Sequence, residues 1–134
     1  MSKLFSAVPL LAIVLVFANL VAFVAGSGFD SLWFQITLPS GGKLDMTAGW
    51  LLNLIGLFLL YIEIYKATRT GHVSIVDHVL SLLVFVVALV EFVISPRFAH
   101  PAFLALLVMM LIDVIAGFTV TISGARRDFA TPGT

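Results

Sequence analysis

Four apolar stretches, at residues 4–25, 48–65, 75–94 and 101–122, take up most of this 134-residue chain. Each approaches the roughly 20 mostly apolar residues a helix needs to cross ~30 Å of hydrocarbon. The chain is 61% hydrophobic and 10% charged, against a usual charged share of about 25%, so too few polar residues remain to face water on every side. The pattern predicts an all-α membrane protein: a four-transmembrane-helix up-down bundle forming one domain over 1–134. No connection between the stretches is long enough for a soluble domain, which places any function within the bilayer or at its surfaces.

The first stretch begins with Lys3 and ends in small residues at Ala25-Gly26-Ser27, as a secretory signal does. A signal's apolar core is typically 7–15 residues; this one runs past 20, which favours a retained helix. Orientation follows from where Lys and Arg fall. With the N-terminus inside, the inner face carries Lys3, Lys66, Arg69, Arg126 and Arg127, and the outer face only Lys43 and Arg97. Both termini are therefore expected in the cytoplasm, with Trp33 and Trp50 at the outer interface and Tyr61 and Tyr65 towards the inner one.

The longest connection, 26–46, predicts a short outer β-hairpin. Phe34-Gln35-Ile36-Thr37-Leu38 alternates apolar and polar residues, Pro39-Ser40-Gly41-Gly42 supplies turn chemistry, and Lys43-Leu44-Asp45-Met46 alternates again. A lone hairpin is marginal in water, so Phe34, Ile36, Leu38, Leu44 and Met46 are expected to rest on the helices or on a partner. Gly71 suits the C-cap region of the second helix. Ser74-Ile75-Val76-Asp77 has capping-box spacing for the third, Pro96 ends it, Pro101 opens the fourth and Gly124 closes it. Connections this short predict that consecutive helices are neighbours.

Each helix carries a seam of small or polar residues at three- and four-residue spacing. The first has Val8, Ala12, Leu15, Asn19, Ala22 and Gly26; the second Gly49, Asn53, Gly56, Leu60, Glu63 and Ala67. The third has Ser74, Asp77, Ser81, Val84, Ala88, Glu91 and Ser95, and the fourth Ala105, Met109, Asp113, Ala116 or Gly117, and Val120. These seams are expected to meet along one axis with Leu, Phe and Val facing lipid. Ala18-xxx-Ala22-xxx-Gly26 is a further face that permits close helix approach, within or between chains.

Ionisable groups within spans are costly, and each is a functional candidate by default. The four are Glu63, Asp77, Glu91 and Asp113. Asp77 falls in the first turn expected for its helix, where a carboxylate caps free N–H groups. Glu63 lies three residues before Lys66 and near Arg69, which predicts an interfacial ion pair; Glu91 is within reach of Arg97. Asp113 stands 12 residues after Pro101, about 18 Å down a helix, with no cation near it in sequence. It is the leading member of a candidate intramembrane polar site of Asp113, Glu91, Asn53 and Asn19, with Glu63 and Asp77 as acids at the inner mouth. Any relay among them would need waters to bridge gaps of about 12 Å in depth.

Cysteine is absent and seven basic residues balance seven acidic ones. The first fact removes disulfides, thiolate metal sites and cysteine nucleophiles; the second leaves no basic patch for nucleic acid. His72 and His78 lie at the inner edge and His100 at the outer, so no pair spans a haem. No metal, cofactor or catalytic constellation is expected, and the chain reads as a non-enzyme.

Three stretches carry a resemblance: Leu38-Pro39-Ser40-Gly41-Gly42; Glu63-Ile64-Tyr65-Lys66-Ala67-Thr68-Arg69 through Ser74-Ile75-Val76-Asp77-His78; and Ile112-Asp113-Val114-Ile115-Ala116-Gly117-Phe118 ending in Ala125-Arg126-Arg127-Asp128. Together they resemble a group of small, uncharacterised four-span inner-membrane proteins of proteobacteria. The resemblance implies a bacterial inner (plasma) membrane and supplies no activity or site residue. Small multidrug exporters are similar in length but carry a Glu in the first span, where this chain has only Asn19. The expected function is that of an accessory or assembly subunit packing on a larger membrane complex, with the bilayer and a membrane-protein partner, or copies of itself, as its surroundings. The alternative is an oligomeric proton- or cation-linked transporter or channel using Asp113 and Glu91.

Overall fold

The computed structural model describes residues 7–68 and 72–130, the side chains at 72–74 and 128 excepted. Among them are four α-helices: α1 (Leu10–Val24), α2 (Ala48–Ala67), α3 (His72–Ile94) and α4 (Pro101–Ala130). An antiparallel hairpin, β1 (Leu32–Thr37) and β2 (Lys43–Thr47), joins α1 to α2. The expectations placed on Lys3, Arg69, Gly71 and the Ser74 side chain lie outside the described residues.

Three helices are long and apolar enough to cross a membrane: Ala48–Ala67, the Ile75–Ile94 part of α3, and the Pro101–Arg127 part of α4. α1, with 15 residues, covers only about 22 Å at 1.5 Å per residue, which is less than the full stretch read at 4–25. α4 runs through Gly124, where the sequence suggested it would close. Glycine inside a helix costs only ~1 kcal/mol, and Ala125, Arg126 and Arg127 are good helix formers that carry the helix on.

Helix directions alternate, but the packing order does not follow the chain. α2 packs along α1 and α4, α3 packs along α4 and more lightly along α1, and α2 and α3 do not run along each other. Around the bundle the order is 1-2-4-3, not the sequential order expected from short connections. The cause is a close approach of α2 to α4. A Cβ on Gly49 would stand 2.7 Å from the Ala102 Cβ, and one on Gly56 would meet Leu106 at 2.9 Å and Met109 at 3.0 Å. Only glycine lets these backbones come together.

All six seam residues of α2 (Gly49, Asn53, Gly56, Leu60, Glu63 and Ala67) are buried. The α1 seam is displaced: Leu11, Val14, Leu15, Ala18 and Ala22 are buried, whereas Val8 is exposed. Ala18 and Ala22 are thus consumed inside the chain, and a Cβ on Gly26 would meet nothing. α4 buries a broad face, including Phe103, Leu106, Met110 and Val114, because it serves two neighbours. At the hairpin end of the bundle, named the outer end for that position alone, two 3-10 turns, Gly28–Asp30 and Pro96–Phe98, fold Phe29 and Phe98 inward. Their rings meet Phe103 at centroid distances of 6.0 and 4.7 Å and close the core there.

The hairpin turn is built as its sequence demands. Gly41 donates its N–H to the Leu38 carbonyl at 2.9 Å and adopts φ +83, a left-handed conformation that suits glycine. Phe34 pairs with Met46 and Ile36 with Leu44 on one face; Gln35, hydrogen-bonded to Asp45, and Thr37 take the other. Of the two supports expected for the apolar face, the helices or a partner, the helices cover little. Met46 alone is buried, and Phe34, Ile36, Leu38 and Leu44 are all exposed. Strand alternation dictates the two faces, but the helices leave no apolar shelf for the ladder once Phe29 and Phe98 have filled the outer end.

Candidate functional site

The helix ends remote from the hairpin, named the inner ends for that position alone, hold a buried polar cluster. Glu63, on the buried seam of α2, is 2% exposed. Its Oε1 accepts the backbone N–H of Leu10 at 2.6 Å and the Lys66 ammonium at 3.1 Å. The first N–H groups of a helix have no partner within it, and an anion is favoured at that positive end. Glu63 therefore anchors the start of α1 from a neighbouring helix. Lys66, the most exposed member, donates also to the Val8 carbonyl at 3.2 Å and stands 3.5 Å from Asp77 Oδ1 on α3. The expected Glu63–Lys66 pair is present, and Lys66 is where consecutive α2 and α3 meet.

Asp77 does not cap its helix. α3 begins at His72, so Asp77 sits more than a turn inside and faces Lys66 across the bundle. Asp113 enters the same cluster from α4, within electrostatic range of Glu63, Asp77 and Lys66. It is therefore not the isolated group, remote from any cation, that its sequence position suggested. Ser81 Oγ lies beside the Asp113 carboxylate, fully buried, in a geometry that closes no hydrogen bond. His78 packs against α4 at Gly117, where a Cβ would fall 2.6 Å from Nδ1. Among the described residues, the cluster thus joins the start of α1 to α2, α3 and α4 with three carboxylates and one ammonium. Among the described residues, no group of three or more His, Asp or Glu is placed to hold a metal ion.

The remaining candidates lie elsewhere. Glu91 sits ten residues after Ser81 on α3, about 15 Å along the axis, and its Oε2 accepts from Asn19 Nδ2 on α1 at 3.2 Å. Asn19 also donates to the Leu15 carbonyl at 3.0 Å. Arg97, the partner expected for Glu91, turns away instead: its Nη1 donates to the Ala22 carbonyl at 3.4 Å and its guanidinium lies 5.0 Å over the Phe23 ring. Asn53 is not with this pair. It lines a separate cavity of about 520 Å³ between α2 and α4, with Thr47, Trp50, His100 and Met109, and its buried Oδ1 has no hydrogen-bond partner among the described residues. The structure therefore divides Asp113, Glu91, Asn53 and Asn19 among three places. Between the inner cluster and the Asn19–Glu91 pair lie Leu11, Val14, Ala18, Ala88, Leu106 and Met110, a layer of apolar core.

Two participants escaped the reading by sequence. Ser81 stood on the α3 seam with nothing to show that it would face Asp113. His100 accepts the Ala102 N–H at Nδ1, 3.0 Å, which leaves Nε2 to meet Asp30 Oδ1 at 3.1 Å. The ring thereby satisfies the start of α4 and ties it to the loop before the hairpin; a histidine just before Pro101 was the available signal. Comparison with protein-family models, curated proteins and solved structures finds no match to this chain.

Proposed function

We propose that this chain is a multi-pass membrane protein, set with both termini in the cytoplasm of a bacterial inner membrane, that acts without catalysis as an accessory or assembly subunit of a larger membrane complex. The observation that carries this reading is the hairpin: an ordered apolar ladder of Phe34, Ile36, Leu38 and Leu44 that the chain's own helices leave exposed. An isolated hairpin is marginal in water, and an apolar patch of this kind marks an interaction site. The three long apolar helices support the membrane setting, with α1 packed beside them as the fourth element and the exposed Leu, Val, Ile and Phe side chains of all four helices turned to lipid.

The inner cluster is, on this reading, a polar staple. It fixes the start of α1 and joins three further helices where polar groups have no water to turn to. The alternative, a proton- or cation-linked transporter or channel through Asp113 and Glu91, draws less support, because an apolar layer separates the two. Replacing Phe34 and Ile36 together with Ser tests the docking role: the variant keeps its fold and membrane insertion and loses the co-purifying partner. A partner retained in full by that variant contradicts it.

A further inference from the structure

We infer that the groove between α1 and α3 binds a single-chain phospholipid carrying a free glycerol hydroxyl. The groove is open to one side and holds about 410 Å³, within the range of small-molecule sites. Its lining is apolar except for Asn19 and Glu91.

Those two residues and Arg97 form a ladder of polarity. Leu15, Val16 and Val87 line the groove about a turn deeper than the Asn19–Glu91 hydrogen bond. Phe23, one turn nearer the outer end than Asn19, carries the Arg97 guanidinium 5.0 Å above its ring. One helical turn is about 5.4 Å. An amphiphile entering sideways from the bilayer therefore meets an apolar floor, then a carboxylate, then a guanidinium, in that order.

Each level selects a chemical group. The floor takes one acyl chain. Glu91 uses Oε2 for Asn19, and among the described residues no donor reaches its other oxygen; a carboxylate turned to a lipid groove is costly until a donor satisfies it. A glycerol hydroxyl supplies that donor. Arg97, whose bond to the Ala22 carbonyl is long at 3.4 Å, is placed for the phosphate, which guanidinium binds with two parallel hydrogen bonds. A diacyl phospholipid has no free hydroxyl on its acylated glycerol to offer Glu91.

This inference rests on the membrane reading and not on the docking role of the hairpin. The test is native mass spectrometry of the full chain released from phosphatidylcholine nanodiscs titrated with 1-acyl-glycerol-3-phosphate. The parent chain retains one probe molecule. Glu91→Gln and Arg97→Gln each weaken retention about tenfold, the loss of one charge-assisted hydrogen bond. With the probe lacking the glycerol hydroxyl, Glu91→Gln changes nothing. Val87→Trp fills the groove, leaves the polar ladder intact and abolishes retention. Retention undiminished in Val87→Trp, or equal for the two probes in the parent chain, overturns the proposal. A chain that fails to enter nanodiscs overturns the membrane reading instead.

Discussion

A methyl group added to Gly49 of α2 would lie 2.7 Å from the Ala102 Cβ of α4, closer than real Cβ atoms approach. With Gly56 set against Leu106 and Met109, this contact makes α4, not α3, the second neighbour of α2. The order of the bundle is thus decided by which glycines find a partner, and not by the length of the connections.

Gly49→Ala should separate α2 from α4 at their outer ends. The expected loss is about 1–3 kcal/mol, the usual cost of overpacking, read as a lower unfolding midpoint in mixed detergent micelles. The Phe29 carbonyl, 3.1 Å from the added methyl, blocks escape to the other side. Ala102→Gly in the same chain should recover part of the loss, and Gly26→Ala, which meets nothing, should leave the midpoint unchanged.

Much of this arrangement was legible in the residues, for reasons that differ by helix. The α2 seam could be read in full because Gly49, Gly56 and Glu63 are unlike the Leu and Ile around them. In α1 small residues occur at several phases (Ala12, Ala18 and Ala22), so the sequence offered two faces and the packed one followed Ala18 and Ala22. Asp113 was recognised as costly, but its neighbours come from two other helices, α2 and α3, and no spacing within α4 encodes them. The hairpin could be located from its alternation and Pro39–Gly42 turn. Whether its apolar face would be covered depended on how far Phe29 and Phe98 fill the outer end.

Lys66→Met removes the Lys66 ammonium from the inner cluster. Breaking a buried ion pair costs 3–5 kcal/mol, and the partial exposure of Lys66 reduces this to about 2 kcal/mol. Adding Glu63→Gln should restore part of the loss, since the amide oxygen still accepts the Leu10 N–H. A double-mutant cycle of unfolding midpoints in bicelles measures the coupling.

Asp113→Asn keeps the shape of the side chain and takes one carboxylate from a cluster holding three. Like charges in one site oppose each other, so this variant should match or exceed the parent, within about 1 kcal/mol. Asp113→Leu surrounds the buried Ser81 Oγ, which makes no hydrogen bond, with an apolar group in place of a carboxylate and should fall about 1 kcal/mol below Asp113→Asn, the poorer solvation of a polar atom that stays buried. Chemical unfolding of the three chains in the same detergent gives the order.

The Asn19–Glu91 hydrogen bond should be weak as a stabiliser. Bonds between membrane helices average about 0.6 kcal/mol in double-mutant cycles, and this one borders a groove open to lipid. Asn19→Ala, Glu91→Gln and the pair together should therefore give a coupling below about 1 kcal/mol, measured by unfolding in the absence of added phospholipid.

The most direct measurement is detergent-free polymer extraction of the tagged full chain from its native membrane, comparing the parent with the Phe34→Ser, Ile36→Ser variant by native mass and composition. The account predicts a stoichiometric membrane-protein partner with the parent, and its loss from the variant while the four-helix chain still inserts and folds. A parent chain recovered alone, or a partner held equally by both chains, would contradict it.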